Sequence, residues 1–172
     1  MYDGKLLLSI ARTSLTDYFA SCCDGPEAGG GRYGSFVTLR KGGALRGCIG
    51  YMSAVDELYP QTYRLAREAA FQDWRFEPVR KEELGSILIE VSVLSPMKEI
   101  AGLDDFCPGR DGILMSLGTR RAVFLPEVAK ETGWSKSELL SALSRKAGLP
   151  SDAYKSPDCS FMTFTSEVFN EV

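Results

Sequence analysis

The chain has 172 residues, is 44% hydrophobic and 25% charged, and carries 20 basic against 23 acidic side chains for a net charge of -3. That composition suits one globular domain with a real core, or two small sub-domains sharing one, and needs no disulfide staple. The acidic balance argues against a general nucleic-acid binder, which carries a basic surplus for phosphate contacts. There is no histidine, which removes Ser-His-Asp, Cys-His and HExxH chemistry and most zinc or non-haem iron sites from a single-chain mechanism. No metal and no cofactor is expected.

The opening Met1-Tyr2-Asp3-Gly4 lacks a charged segment followed by an apolar one. No apolar run reaches the roughly 18 residues of a membrane span. The five cysteines, Cys22, Cys23, Cys48, Cys107 and Cys159, form no CxxC pair. A soluble cytoplasmic protein with reduced thiols is expected.

In chain order, Leu7, Ala11, Leu15, Tyr18, Phe19 and Cys22 recur at spacings of three and four, which predicts an amphipathic helix over residues 5–23. Asp24 to Gly34, with Pro26 and several glycines, reads as a loop. The doubled Cys22-Cys23 stands at its start. Adjacent cysteines rarely pair with each other, so one packed and one surface thiol are expected. Ser35 to Tyr51 reads as a hairpin turning at Lys41-Gly42-Gly43.

Asp56 offers a cap for a helix with Pro60 in its first turn, running to about Gln72. Arg80 to Leu84 predicts a helical turn, and Ser86 to Ser95 a central strand with Ile87, Ile89, Val91 and Val93 on one face. Met97 to Pro108 reads as an irregular connector with a turn of helix. A hairpin follows from Gly112 to Leu125 about Gly118-Thr119. Pro126 starts a helical turn that stops at Gly133, and Ser135-Lys136-Ser137-Glu138 has the capping-box spacing of a helix ending at Gly148. Cys159 to Phe169 predicts one closing strand. Hairpins and long strands with few β-α-β units predict an α+β fold, a mainly antiparallel sheet flanked by helices. No linker divides residues 1–172.

The chemically unusual stretch is Leu45-Arg46-Gly47-Cys48-Ile49-Gly50. On a strand, Arg46, Cys48 and Gly50 share one face, with neighbours about 6 to 7 Å apart. A cation beside a thiol makes Cys48 a candidate nucleophile and Arg46 a candidate stabiliser of its thiolate. Gly47 and Gly50 would admit a close-lying substrate or permit close strand packing. Asp73-Trp74-Arg75-Phe76, where the chain must turn, mixes charges with aromatics as binding loops do. A shared surface of Arg46, Gly47, Cys48, Gly50, Asp73, Trp74, Arg75 and Phe76 is expected, with Arg46 neutralised by Asp73 or Glu90 if its role is structural.

These blocks, with Gly34-Ser35-Phe36-Val37-Thr38-Leu39, Ile89-Glu90-Val91-Ser92-Val93-Leu94, Asp111-Gly112-Ile113, Phe124-Leu125-Pro126 and Arg145-Lys146-Ala147-Gly148-Leu149, resemble the AMMECR family over nearly the whole chain. Leu45 to Gly50 matches the family's signature. Glu127 and the doubled cysteine depart from its pattern. The resemblance implies an α+β fold of a larger and a smaller sub-domain and brings no established activity. Prokaryotic proteins similar to this one are often encoded beside a Memo-family protein and a radical SAM enzyme, which implies a three-part modification system. The first expectation is thus a component that binds a small molecule or one of those partners. The alternatives are a cysteine-dependent enzyme using Cys48 and a nucleic-acid-associated regulator.

Overall fold

The structure is a computed structural model and describes residues 1–172. It is α+β, with two four-stranded antiparallel sheets in two compact units. The first unit comprises Met1–Leu94 and Glu167–Val172, and the second Ser95–Ser166.

In the first unit, α1 (Gly4–Phe19) starts where the Asp3 carboxylate accepts the Lys5 and Leu6 amides, which satisfies two of the donors a helix leaves free at its start. The hairpin β1 (Ser35–Lys41) and β2 (Ala44–Tyr51) turns through Gly42 and Gly43 at φ of 57° and 81°, a left-handed pair that glycine adopts without a Cβ clash. Next come α2 (Leu58–Phe71), a 3₁₀ turn over Lys81–Ser86 and β3 (Ile87–Leu94). The last strand of the chain completes a sheet of order β2-β1-β3-β8, where β8 is Ser166–Asn170. β3 is interior, as its apolar alternation requires.

Val37, Leu39, Ile89 and Val91 are fully buried in one cluster with Leu7, Ala11 and Leu15 of α1 and Leu58, Leu65 and Ala66 of α2. The helix cap differs from expectation. α2 is preceded by Glu57 with no side-chain cap, because the Asp56 carboxylate accepts the Glu57 amide instead, at 2.8 Å.

The second unit holds β4 (Lys98–Ile100), β5 (Gly112–Leu117), β6 (Arg120–Phe124), α3 (Pro126–Thr132), α4 (Lys136–Lys146) and β7 (Ser160–Phe164). The strand order is β4-β7-β5-β6. Phe106, Ile113, Met115, Leu139, Leu140, Leu143 and Phe161 make its own core. Ser135 and Glu138 form the expected capping box, and Gly133 ends α3 at a φ of 66°.

Helix α1 stops at Phe19 rather than running to residue 23, and two further stretches differ from their sequence reading. The connector after Met97 contributes β4, three residues too few to show alternation, paired to β7 from Lys98–Thr163 to Ile100–Phe161. The single strand expected from Cys159 to Phe169 is two, because the chain leaves the ladder at Thr165. There the Thr165 amide donates to Ser95 Oγ at 2.8 Å and its carbonyl accepts the Ser95 amide at 2.9 Å. The β-rich composition is the same on both sides of this break.

Glu171 fastens the chain's end to the first unit. Its carboxylate accepts the Ile89 amide at 2.9 Å and pairs with Arg12, whose guanidinium also donates to the Leu84 and Ile87 carbonyls at 2.9 and 2.7 Å. Glu171→Ala removes a charged acceptor from both groups. The variant should lose about 2 to 3 kcal/mol in urea unfolding and show faster hydrogen exchange at the Ile89 amide; unchanged exchange there would mean that β8 holds without Glu171.

Candidate functional site

β2 is an edge strand, paired on one side only, to β1. Its ladder is irregular where the signature begins: Leu39 stands opposite Gly47, and Arg40 opposite Leu45, so Arg46 is the extra residue of a bulge. Bulges re-aim side chains. The Arg46 guanidinium is held by Glu83 of the 3₁₀ turn, with Nε to Oε1 at 3.2 Å and Nη2 to Oε2 at 3.1 Å, while Nη1 donates to the Glu77 carbonyl at 2.8 Å. Lys41 also reaches Glu83, at 2.9 Å. The partner of Arg46 is thus Glu83, rather than the Asp73 or Glu90 that charge alone suggested.

Asp73, Arg75 and Cys48 do come together. The chain leaves α2 and turns at Asp73, whose carbonyl accepts the Phe76 amide at 3.0 Å. The Asp73 side chain is buried and accepts the Cys48 amide at 2.9 Å. It also takes the Arg75 backbone amide at 3.2 Å and a fork from the Arg75 side chain at 2.9 and 2.7 Å. Arg75 Nη2 then donates to the Cys48 carbonyl at 3.3 Å. The carboxylate and guanidinium thereby fill both outward backbone positions of Cys48, as an added strand would. Trp74, between them in sequence, is 90% exposed, and the Arg75 guanidinium lies 5.4 Å from the centre of the Phe76 ring.

The Cys48 thiol points to its cross-strand neighbour Thr38, whose hydroxyl donates to the sulfur at 3.2 Å. Burial raises the thiol above its ordinary range; the Thr38 hydrogen bond and Arg75 pull it down, while Asp73 and Glu90 push it further up. The cation that acts on this sulfur is Arg75, with Arg46 committed to Glu83. A thiol favoured in its protonated form is a poor nucleophile near neutral pH.

The signature glycines are filled by the protein itself. A Cβ on Gly47 would lie 2.1 Å from the Ala69 carbonyl oxygen of α2, and one on Gly50 would lie 2.3 Å from the Phe36 ring. Gly47 lets the end of α2 rest on the sheet, which sets Asp73 against β2. Thr38 and Glu83 belong to this arrangement and were not singled out in the sequence. Thr38 is signalled by its register opposite Cys48, and Glu83 only by a charged run after Pro78. No group of three His, Cys, Asp or Glu side chains is placed to hold a metal ion.

Fold and site together define an α+β domain of two units in which a cysteine-bearing edge strand is braced by an Asp–Arg pair. The AMMECR1 family model matches residues 8–169, and the chain belongs to this family. A Methanothermobacter thermautotrophicus protein is 38% identical over 181 residues, covering 98% of this chain and 94% of its own. A Pyrococcus furiosus protein is 36% identical over 184 residues, covering 98% and 88%. The crystal structure of an uncharacterised Pyrococcus horikoshii protein superposes with a TM-score of 0.86 at 33% identity, over 98% of this chain and 91% of that one.

Two measurements probe the brace. Arg75 holds the Asp73 carboxyl well below the usual carboxylate range, aided by the Cys48 amide, and Arg46 and then Lys41 lower Glu83 to about 2. Both groups have folded pKa values below their unfolded ones. Their stabilisation is therefore complete above about pH 4.5 and drains away as pH falls toward the folded values. Asp73→Asn with Glu83→Gln should lower the urea midpoint at neutral pH and flatten its decline in acid; an unaltered acid limb would place the linkage elsewhere. Gly47→Ala, forced against backbone, should cost about 3 kcal/mol or more, whereas Gly42→Ala, whose Cβ would meet nothing within 4 Å, should cost only about 1 kcal/mol through its positive φ. Equal losses in urea titrations would refute the packing role of Gly47.

Proposed function

We propose that the chain is the recognition component of a modification system, and that it docks a protein partner of the Memo or radical SAM type through Trp74, Arg75 and Phe76 beside the Cys48 strand. The observation that carries this reading is Trp74, 90% exposed on a turn that Asp73 and Arg75 tie to the Cys48 backbone. Tryptophan and arginine dominate the energetics of protein interfaces, and a turn already fixed by hydrogen bonds gives up little freedom on binding. The half-exposed Arg75 guanidinium lies over Phe76, so a cation and two aromatic side chains are offered on one short turn.

The same geometry weighs against Cys48 as a self-sufficient nucleophile. Burial disfavours its thiolate, and the two carboxylates whose charge it feels are both engaged, Asp73 by Arg75 and Glu90 by Arg40. In this reading any bond-making is done by the partner.

The test is co-expression of the tagged chain with a Memo-family protein and a radical SAM enzyme. Trp74→Ala should reduce the co-purified partner about tenfold or more, and Cys48→Ser should leave it intact. Trp74 is exposed, so its truncation removes little packing from the fold. Retention by Trp74→Ala together with loss by Cys48→Ser would overturn the docking reading in favour of a thiol-centred one.

A further inference from the structure

Sulfur chemistry has a second place in the molecule, at the end of α1 and remote in sequence from the signature. The helix stops at Ala20, and Ser21 takes a positive φ of 55°, uncommon for a residue other than glycine. The chain is thereby redirected to carry Cys22 and Cys23 toward α2. There Arg67 holds both residues. Its Nη2 donates to the Cys22 carbonyl at 2.7 Å and to the Tyr63 hydroxyl at 2.8 Å, and its Nε donates to Ser14. Its Nη1 donates to the Cys23 sulfur at 3.6 Å.

The guanidinium is also packed over the Tyr63 ring, 4.8 Å from its centre. It is a fixed cation rather than a mobile one. The two thiols are treated differently: Cys23 is exposed, while Cys22 is partly buried and donates to the Asp24 carboxylate at 3.2 Å.

We infer that the Cys22–Cys23 pair is a thiolation site for low-molecular-weight disulfides, with Cys23 as the attacking sulfur and Cys22 as a neighbour that does not release the adduct. Cys23 loses its proton to solvent, and its sulfur attacks one sulfur of a disulfide RSSR along the exposed side. A Cys23–S bond forms as the S–S bond breaks. The departing RS⁻ takes the electron pair and then a proton from water. The balance is one protein thiol and one disulfide converted to one mixed disulfide and one free thiol, and RSSR is the only oxidant required. Arg67 serves the step through its N–H donated to sulfur, which stabilises negative charge carried there.

Cys22 is badly placed to resolve the adduct. Adjacent residues across a trans peptide have Cα atoms about 3.8 Å apart, inside the roughly 4.4 to 6.8 Å that a disulfide normally spans. The chain has no cis peptide bond. The Cys22 carbonyl is tied to Arg67 and its thiol to Asp24, which opposes the reorientation an attack on Cys23 would need. The site should therefore accept one thiol equivalent and keep it.

Cys107 is the natural comparison, since it too is exposed, but no hydrogen bond from a cation reaches its sulfur. The intact chain would be incubated at near-neutral pH with bis(2-hydroxyethyl) disulfide, which is uncharged, and followed by intact-mass and peptide mass spectrometry. A single mercaptoethanol adduct should form at Cys23 about fivefold or more faster than at Cys107, with Cys48 slower still. Cys23→Ser should abolish the fast phase and Cys22→Ser should leave it in place. Arg67→Lys should reduce the Cys23 rate toward that of Cys107. If that variant does not fold, the ratio of the two rates in the unaltered chain decides by itself. Equal rates at Cys23 and Cys107, or a Cys22–Cys23 disulfide with no retained adduct, would overturn the proposal.

Discussion

The Asp73 carboxylate is where the architecture of the first unit and its candidate site meet. A buried charge is tolerable only when its oxygens are fully engaged, and this one takes the Cys48 amide, the Arg75 amide and both arms of the Arg75 fork. Those bonds join the turn after α2 to the edge of the sheet, and they work only because Gly47 lets the end of α2 lie against β2. Orientation of Trp74, the environment of the Cys48 sulfur and protection of an otherwise open strand edge all follow from the same carboxylate. A second Asp–Arg pair repeats the pattern in the other unit. Asp111 is forked by Arg110 and accepts the Cys107 amide at 2.9 Å. That pair braces a loop entering a strand, so the device is structural in its general form and becomes a candidate surface only where an exposed aromatic accompanies it.

Most of the fold was legible because its signals are local. The glycine turn of the first hairpin, the alternation in β3 and the capping box at Ser135 each state a conformation within a few residues, and each element formed where those residues stand. What was illegible depended on partners distant in sequence. The break at Thr165 is made by Ser95, 70 residues away, and the short β4 is defined only by its pairing to β7. No periodicity within either segment could have shown it.

The site divides in the same way. The spacing of Asp73 and Arg75 after a helix, and the glycines around Cys48, marked a neighbourhood that the structure assembles. Alternation along β2 could not reveal the bulge at Arg46, because a bulge comes from a mismatch in length between two strands. With that one extra residue the guanidinium joins Glu83 and Lys41, and the cation left for the thiol is Arg75. The proximity of Arg46 and Cys48 in sequence therefore misstates their chemistry. The doubled cysteine shows the reverse: the sequence foresees one surface and one packed thiol, but Arg67, 44 positions from Cys23, gives the pair its character.

The closing strand has a consequence for how the polypeptide is born. The second unit is one uninterrupted stretch, whereas the first lacks the strand beside β3 until Glu167–Val172 has been made. During synthesis, β3 would emerge from the ribosome with one side unpaired and stay so while the next 72 residues are added, the length of Ser95–Ser166. At roughly 5 to 20 residues per second that interval lasts several seconds. The inserted unit has time to fold in full while the surrounding sheet still waits for its last strand, so the first unit is begun before the second and finished after it.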